Sequence, residues 1–105
     1  MVYDICPVVD FQMIMFHYVY VIQSQKNKEM YVGYTTNLVN RLKEHNQGLN
    51  FSTKSARPWR LVYYEACLNV NDAKRREKYL KTSQGHRLLK SRLKDYLYPQ
   101  KKNLI

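Results

Sequence analysis

The chain has 105 residues, 45% of them hydrophobic, enough for one domain with a modest core and too few for two. Eighteen basic residues against 8 acidic ones give a formal charge of +10, which points to a polyanionic partner, nucleic acid ahead of a membrane surface. Two distant cysteines and three scattered histidines make no recognisable zinc pattern, and no apolar run has the length of a membrane span. A reduced, cytoplasmic protein without membrane attachment is expected.

Residues 1–15 read as an N-terminal tail. They are apolar, but they lack a basic start and carry Asp4, Pro7 and Asp10, which does not suit a signal peptide. Met13 or Met15 is the expected natural start, which would make the segment before it non-native. Residues 17–24 and 29–35, alternating and rich in Tyr, Val and Ile around the polar turn 25–28, predict a β-hairpin. Thr35 or Thr36 is the expected cap of a helix running to Gln47 and closed by Gly48. On an ideal helix, with Leu38 at 0°, Leu42 lies at about 40°, His45 at about −20° and Arg41 at about −60°. Both polar residues thus border the apolar stripe, where they can face a cleft between helix and sheet. The segment 49–58 is a polar loop whose Ser52, Thr53, Lys54, Ser55 and Arg57 suit either phosphate contact or simple structure.

A third strand is expected over 60–67. A helix follows, capped by Asn71 or Asp72 and running to Gln84, with Gly85 at its end. Within it Ala73, Glu77 and Leu80 stand at i, i+4 and i+7, so Glu77 falls on the inward face, a costly place for a carboxylate without a cation or donor. A last helix over 86–97 carries Leu89, Leu93, Tyr96 and Leu97 on one face, and 98–105 read as a basic tail. The expected fold is α+β, a small three-stranded antiparallel sheet packed with about three helices.

Two tyrosine motifs stand out, Tyr18-Val19-Tyr20 and Tyr31-Val32-Gly33, followed by Arg41, His45 and, much later, Glu77. With 10 Tyr and 3 Gly in the chain, a lone Tyr-x-Gly arises by chance roughly 0.3 times. Requiring Arg ten and His fourteen residues after that Tyr lowers the figure to about 0.0005. The combination resembles the GIY-YIG endonuclease family. The likeness runs over 16–97 and extends to Arg57-Pro58-Trp59-Arg60-Leu61-Val62-Tyr63-Tyr64-Glu65 and to the stretch from Ala73 to Thr82. It is nearest to the small single-domain bacterial branch, related to the nuclease domain found in the excision-repair machinery, and so brings DNA repair into view.

That resemblance implies a metal-dependent endonuclease hydrolysing phosphodiester bonds in DNA, or RNA, with Tyr20, Tyr31, Arg41, His45 and Glu77 forming the catalytic site. From the residues alone each has a second reading. The tyrosines can simply pack in strands, Arg41 can be a surface charge, and His45 can sit against a helix C-terminus. Glu77 can pair with Lys74, Arg76 or Lys81 at helical spacing. On the catalytic reading Glu77 holds Mg²⁺, or Mn²⁺, since Mg²⁺ keeps most of its waters and needs only one or two carboxylates. Arg41 clamps the scissile phosphate, and Tyr20, Tyr31 or His45 activates the water. A phenol with a pKa near 10 costs about 4 kcal/mol to ionise at pH 7, so nearby cations are needed to make it a base. Many family members place an Asn after the metal Glu, whereas the next Asn here is Asn103, so that role is not assigned. The alternative function is a nucleic-acid-binding module with a vestigial nuclease site.

Eleven of the 18 basic residues fall between 74 and 102, opposed only by Glu77 and Asp95. Lys74, Arg75, Lys78, Lys81, Arg87, Lys90, Arg92 and Lys94, with Lys54 and Arg57 of the polar loop, form the expected nucleic-acid contact surface. No base-reading element is evident, so selection by backbone or structure is expected, with DNA preferred to RNA. Because 105 residues leave no room for a separate substrate-choosing domain, recognition of nucleic-acid shape is expected to come either from the chain itself or from a targeting protein partner.

Overall fold

The computed structural model describes the backbone of residues 14–103 and the side chains of residues 14–99. Most of the expected N-terminal tail, and the side chains at the end of the C-terminal one, lie outside the described residues. The order is β1 (His17–Ser24), β2 (Met30–Thr35), α1 (Leu38–Gln47), a 3₁₀ turn (Lys54–Ala56), β3 (Trp59–Cys67), α2 (Val70–Leu80), α3 (Ser83–Arg92) and α4 (Lys94–Asn103). The architecture is α+β, as expected, with four helices rather than three.

The strands form one antiparallel sheet in the order β2-β1-β3, so β1 is central and β2 is an edge. Helices pack against both faces of β1, and its alternating side chains divide between two cores. Val19 and Val21 join Val32, Ala73, Leu80 and Leu89 beneath α2 and α3. Tyr20 and Ile22 join Trp59, with Leu38 and Leu42 of α1, on the other face.

The caps differ from the expected ones. Asn37, not Thr35 or Thr36, caps α1 by accepting from the backbone N–H of Asn40, while the Thr35 hydroxyl accepts from Asn37 N–H. Gly48 closes α1 with φ at 78°, the left-handed conformation that the turn requires. Asn69, not Asn71 or Asp72, caps α2. That helix ends at Leu80 instead of Gln84, because Thr82 accepts from Gly85 N–H and begins α3 at Ser83. Gly85 is therefore no helix end. It lies inside α3 against the carbonyl of Tyr79 and the backbone of Leu80, where a Cβ would collide with both. The single helix expected over 86–97 is two helices that break at Leu93, and α4 continues to Asn103 through residues read as tail. Tyr96 ties α4 to the sheet by donating to the Gln23 side chain at 2.7 Å.

Candidate active site

The register places Tyr20 opposite Gly33, and this pairing explains why the second motif ends in glycine. A Cβ at Gly33 would run into the Cζ and hydroxyl of Tyr20, so only glycine lets the phenol lie across β2 toward α1. There the Tyr20 hydroxyl is 2.7 Å from Nε2 of His45 and accepts from Nε of Arg41 at 3.3 Å. The i, i+4 spacing of Arg41 and His45 sets both on one face of α1, as the helical angles require. Nδ1 of His45 is 2.8 Å from the hydroxyl of Thr53. Tyr20 is 2% exposed and His45 fully buried, while the Arg41 side chain remains 37% exposed and links this pair to the surface.

Burial raises the pKa of Tyr20 above its ordinary 10.0, against the hydrogen bond and charge of Arg41 that pull it down. Tyr31 and Glu77 push it further up, which sets both beside the phenol electrostatically. The His45 pKa falls below its ordinary 6.5, first by burial and then by the charge of Arg41, with Glu44 opposing. The Arg41 pKa rises through its hydrogen bonds to Tyr20 and to Glu44, whose carboxylate accepts from Nη1 at 2.9 Å.

Tyr31 is only half-buried. Its ring meets His45 edge-on at 5.4 Å between centroids and Trp59 at 6.3 Å, and Lys81 Nζ is 5.9 Å from the ring centre. Lys81 is paired with Glu77 at 3.1 Å. Tyr31 on the edge strand β2 thus connects the other four expected residues: His45 of α1 touches its ring and carries the link to Tyr20 and Arg41, and Lys81 at the end of α2 carries the link to Glu77. Glu77 keeps 18% of its side chain exposed. No group of three or more His, Cys, Asp or Glu suited to a metal exists among the described residues. One carboxylate, now paired with Lys81 but partly reachable from solvent, would suit a water-rich divalent ion such as Mg²⁺ and would not make a closed zinc site.

Beside the network a groove of about 290 Å³ is lined by Arg41, Glu44, His45, Leu49, Asn50 and Phe51. Phe51 is 88% exposed, with Lys54 Nζ 5.9 Å from the centre of its ring. The expected contact residues Lys54, Arg57, Lys74, Arg75, Lys78, Lys81, Arg87, Lys90, Arg92 and Lys94 are all at least partly exposed. Some are partly engaged: Lys74 sits 4.2 Å over the Tyr34 ring, Arg75 pairs with Asp72, and Arg57 packs against Gly48. Thr53, Glu44 and Phe51 lie at the candidate site in places that the sequence reading did not assign to them: Thr53 against His45, Glu44 against Arg41 and Phe51 at the groove. Thr53 and Phe51 lie in the loop read as polar, and Glu44 stands one helical turn from Arg41, but nothing in their spacing marks them out.

The model of the GIY-YIG catalytic domain matches residues 16–90. This chain belongs to the GIY-YIG family. The UPF0213 protein SH2523 of Staphylococcus haemolyticus is 41% identical over 75 residues, covering 70% of this chain and 90% of its own. A second relative, the UPF0213 protein CPE1444 of Clostridium perfringens, is 39% identical over 66 residues, covering 62% and 70% respectively. The solution structure of the UPF0213 protein BH0048 from Bacillus halodurans is similar at a TM-score of 0.47 and 32% identity, over 73% of this chain and 84% of that one. No helix among the described residues is long and apolar enough to cross a membrane.

The buried His45 makes stability depend on pH with a definite sign. As pH falls through about 6.5 the unfolded histidine takes up a proton before the folded one does. The unfolded state then binds more protons, and stability declines until the lower folded pKa is passed. Thermal melting between pH 7 and 5.5 is expected to show a falling melting temperature, with a shallower fall for His45→Gln. Equal slopes in the two proteins would assign the dependence to another group.

Proposed function

We propose that the protein is a Mg²⁺-dependent endonuclease, able to use Mn²⁺, that hydrolyses phosphodiester bonds in DNA and selects its substrate by backbone and structure. The observation that carries this reading is the partly exposed Tyr31 between the Tyr20–His45–Arg41 network and the Glu77–Lys81 pair. Family membership supports nuclease chemistry, and the charge of +10 supports a nucleic-acid substrate.

The two tyrosines have different parts in this mechanism. Tyr20 has its hydroxyl engaged on both sides and sealed from water, so it holds Arg41 and His45 in place. The Tyr31 hydroxyl makes no hydrogen bond to another described residue, so once it has given up its own proton to solvent, as phenolate beside the Lys81 ammonium, it can take a proton from the attacking water. Arg41 places its guanidinium fork on the scissile phosphate, giving up its pairing with Glu44. Glu77 supplies the carboxylate that would hold Mg²⁺ in place of its contact with Lys81, and Lys81 stays beside Tyr31 as a cation. When bound, the metal stabilises charge on the phosphate oxygens. The exposed ring of Phe51 at the groove offers a stacking face for an unpaired base, which favours branched or single-stranded substrates over continuous duplex.

Incubation with duplex, single-stranded, flap and branched DNA and with matching RNA, with Mg²⁺ and with chelator, tests the reading. Metal-dependent turnover on at least one DNA is expected. Binding without turnover on the whole panel would leave a nucleic-acid-binding module with a vestigial site. Neutralising Lys90, Arg92 and Lys94 together is expected to weaken binding to all substrates alike. The slope of log affinity against log salt should flatten by about 0.9 for each duplex phosphate that the variant no longer neutralises. An unchanged slope would remove α3 and the start of α4 from the contact surface.

A further inference from the structure

The active-site network can be followed one donor at a time, and only one arrangement satisfies every group. A guanidinium only donates, so the contact between Arg41 Nε and the Tyr20 oxygen makes that oxygen an acceptor. Tyr20 has a single hydroxyl hydrogen, it is buried, and its remaining partner is His45 Nε2 at 2.7 Å. Nε2 must therefore be unprotonated. A neutral imidazole then carries its hydrogen on Nδ1, which faces the Thr53 hydroxyl at 2.8 Å. Thr53 accepts that hydrogen and gives its own to the carbonyl of Asn50 at 3.4 Å.

The opposite tautomer fails at Tyr20. With hydrogen on Nε2, the phenol oxygen would accept from both Arg41 and His45, and its own hydrogen would meet no acceptor among the described residues. A charged imidazolium fails in the same way, in line with burial disfavouring that form. Among the described residues every buried side-chain nitrogen and oxygen lies within hydrogen-bond distance of a partner, and only the first arrangement also gives the Tyr20 hydrogen an acceptor. Thr53 is itself held firmly. It is 1% exposed, its carbonyl accepts from Trp59 Nε1 at 2.8 Å, and its N–H donates to the Asn50 carbonyl at 3.2 Å.

We propose that Thr53 is a positioning residue that holds His45 by accepting from Nδ1–H, supporting the tautomer that the Arg41–Tyr20 contact selects, in which Nε2 accepts the Tyr20 hydroxyl and the Tyr20 oxygen is left to hold Arg41. The hydrogen bonds then run in one direction, from Arg41 through Tyr20, His45 and Thr53 to the Asn50 carbonyl. Arg41 is anchored through Nε, and its two terminal nitrogens remain for Glu44 or for a phosphate. The kinetic consequence rests on the nuclease reading above, whereas the tautomer does not.

The test is ¹⁵N NMR of the imidazole in the ligand-free full chain near neutral pH, alongside cleavage kinetics on the best substrate of the panel. In the wild-type protein Nδ1 is expected to be protonated and Nε2 unprotonated. Thr53→Val removes the hydroxyl while keeping the shape. It is expected to shift His45 toward the Nε2–H form and to lower kcat by about 10- to 100-fold, as loss of a residue that orients a site ligand does, with substrate Kd within about twofold. Thr53→Ser retains the hydroxyl, and it should restore the wild-type tautomer and most of kcat. An Nε2–H tautomer in the wild-type protein would overturn the proposal, as would folded Thr53→Val with unchanged spectrum and kcat. Should Thr53→Val not fold, the wild-type and Thr53→Ser spectra decide. If no substrate is cleaved, the nuclease reading fails, and the spectra still establish or refute the tautomer.

Discussion

Replacing Glu77 by Gln should abolish Mg²⁺-supported cleavage while leaving nucleic-acid affinity equal or higher. The amide keeps the size of the carboxylate but loses the charge that would hold the cation, and removing one negative charge near the phosphates cannot weaken their binding electrostatically. A loss of several kcal/mol of transition-state stabilisation corresponds to about three orders of magnitude in rate. The competing account treats Glu77 only as the partner of Lys81. That pair is one helical turn apart and half-exposed on the lysine side, so its loss would change stability by a few tenths of a kcal/mol and leave turnover intact. Circular dichroism to establish folding, binding by fluorescence anisotropy, and a single-turnover assay across Mg²⁺ concentrations separate the accounts. Wild-type cleavage by folded Glu77→Gln protein would sink the proposed mechanism.

The two tyrosines are expected to part company when each is changed to Phe. Tyr31→Phe removes a hydroxyl that makes no hydrogen bond to another described residue, so its melting temperature should stay close to wild type. Its rate should fall by about 10² to 10⁴, the usual worth of a general base. Tyr20→Phe takes the centre out of a buried network, leaving His45 Nε2 without its donor and Arg41 Nε without its acceptor. A buried polar group left unpaired costs about 1–3 kcal/mol, so this variant should lose both stability and rate. Equal melting temperatures for the two variants would contradict the division of labour. Full activity in Tyr31→Phe would move the role of base to another group.

Several features were legible in the sequence for identifiable reasons. Period-two alternation in β1 and the polar turn after it encode the hairpin locally, and the i, i+4 spacing of Arg41 and His45 puts them on one face of α1 wherever that helix docks. Gly48 was readable because a left-handed helix end admits few other residues. Helix boundaries in the second half were not. Asn69, Asn71 and Asp72 are all competent caps, and what selects Asn69 is the exit of β3 at Cys67, a tertiary condition. Gly85 looked like a helix end because its real function, close passage of α3 over the end of α2, involves residues brought near only by the turn between them.

The same division holds at the site. By itself the sequence determined the family, the hairpin, the helix face shared by Arg41 and His45, the inward position of Glu77 and the positive charge, since each depends on residue type and short spacing. Only the tertiary structure decided that Tyr20 is sealed while Tyr31 remains half-open, because that difference arises from Gly33 in one neighbouring strand and from α1 and α2 meeting at an edge strand. It alone brought Thr53 to His45 across a loop. A hydroxyl becomes a partner for an imidazole through distance and direction, and neither is written in the spacing of residues along the chain.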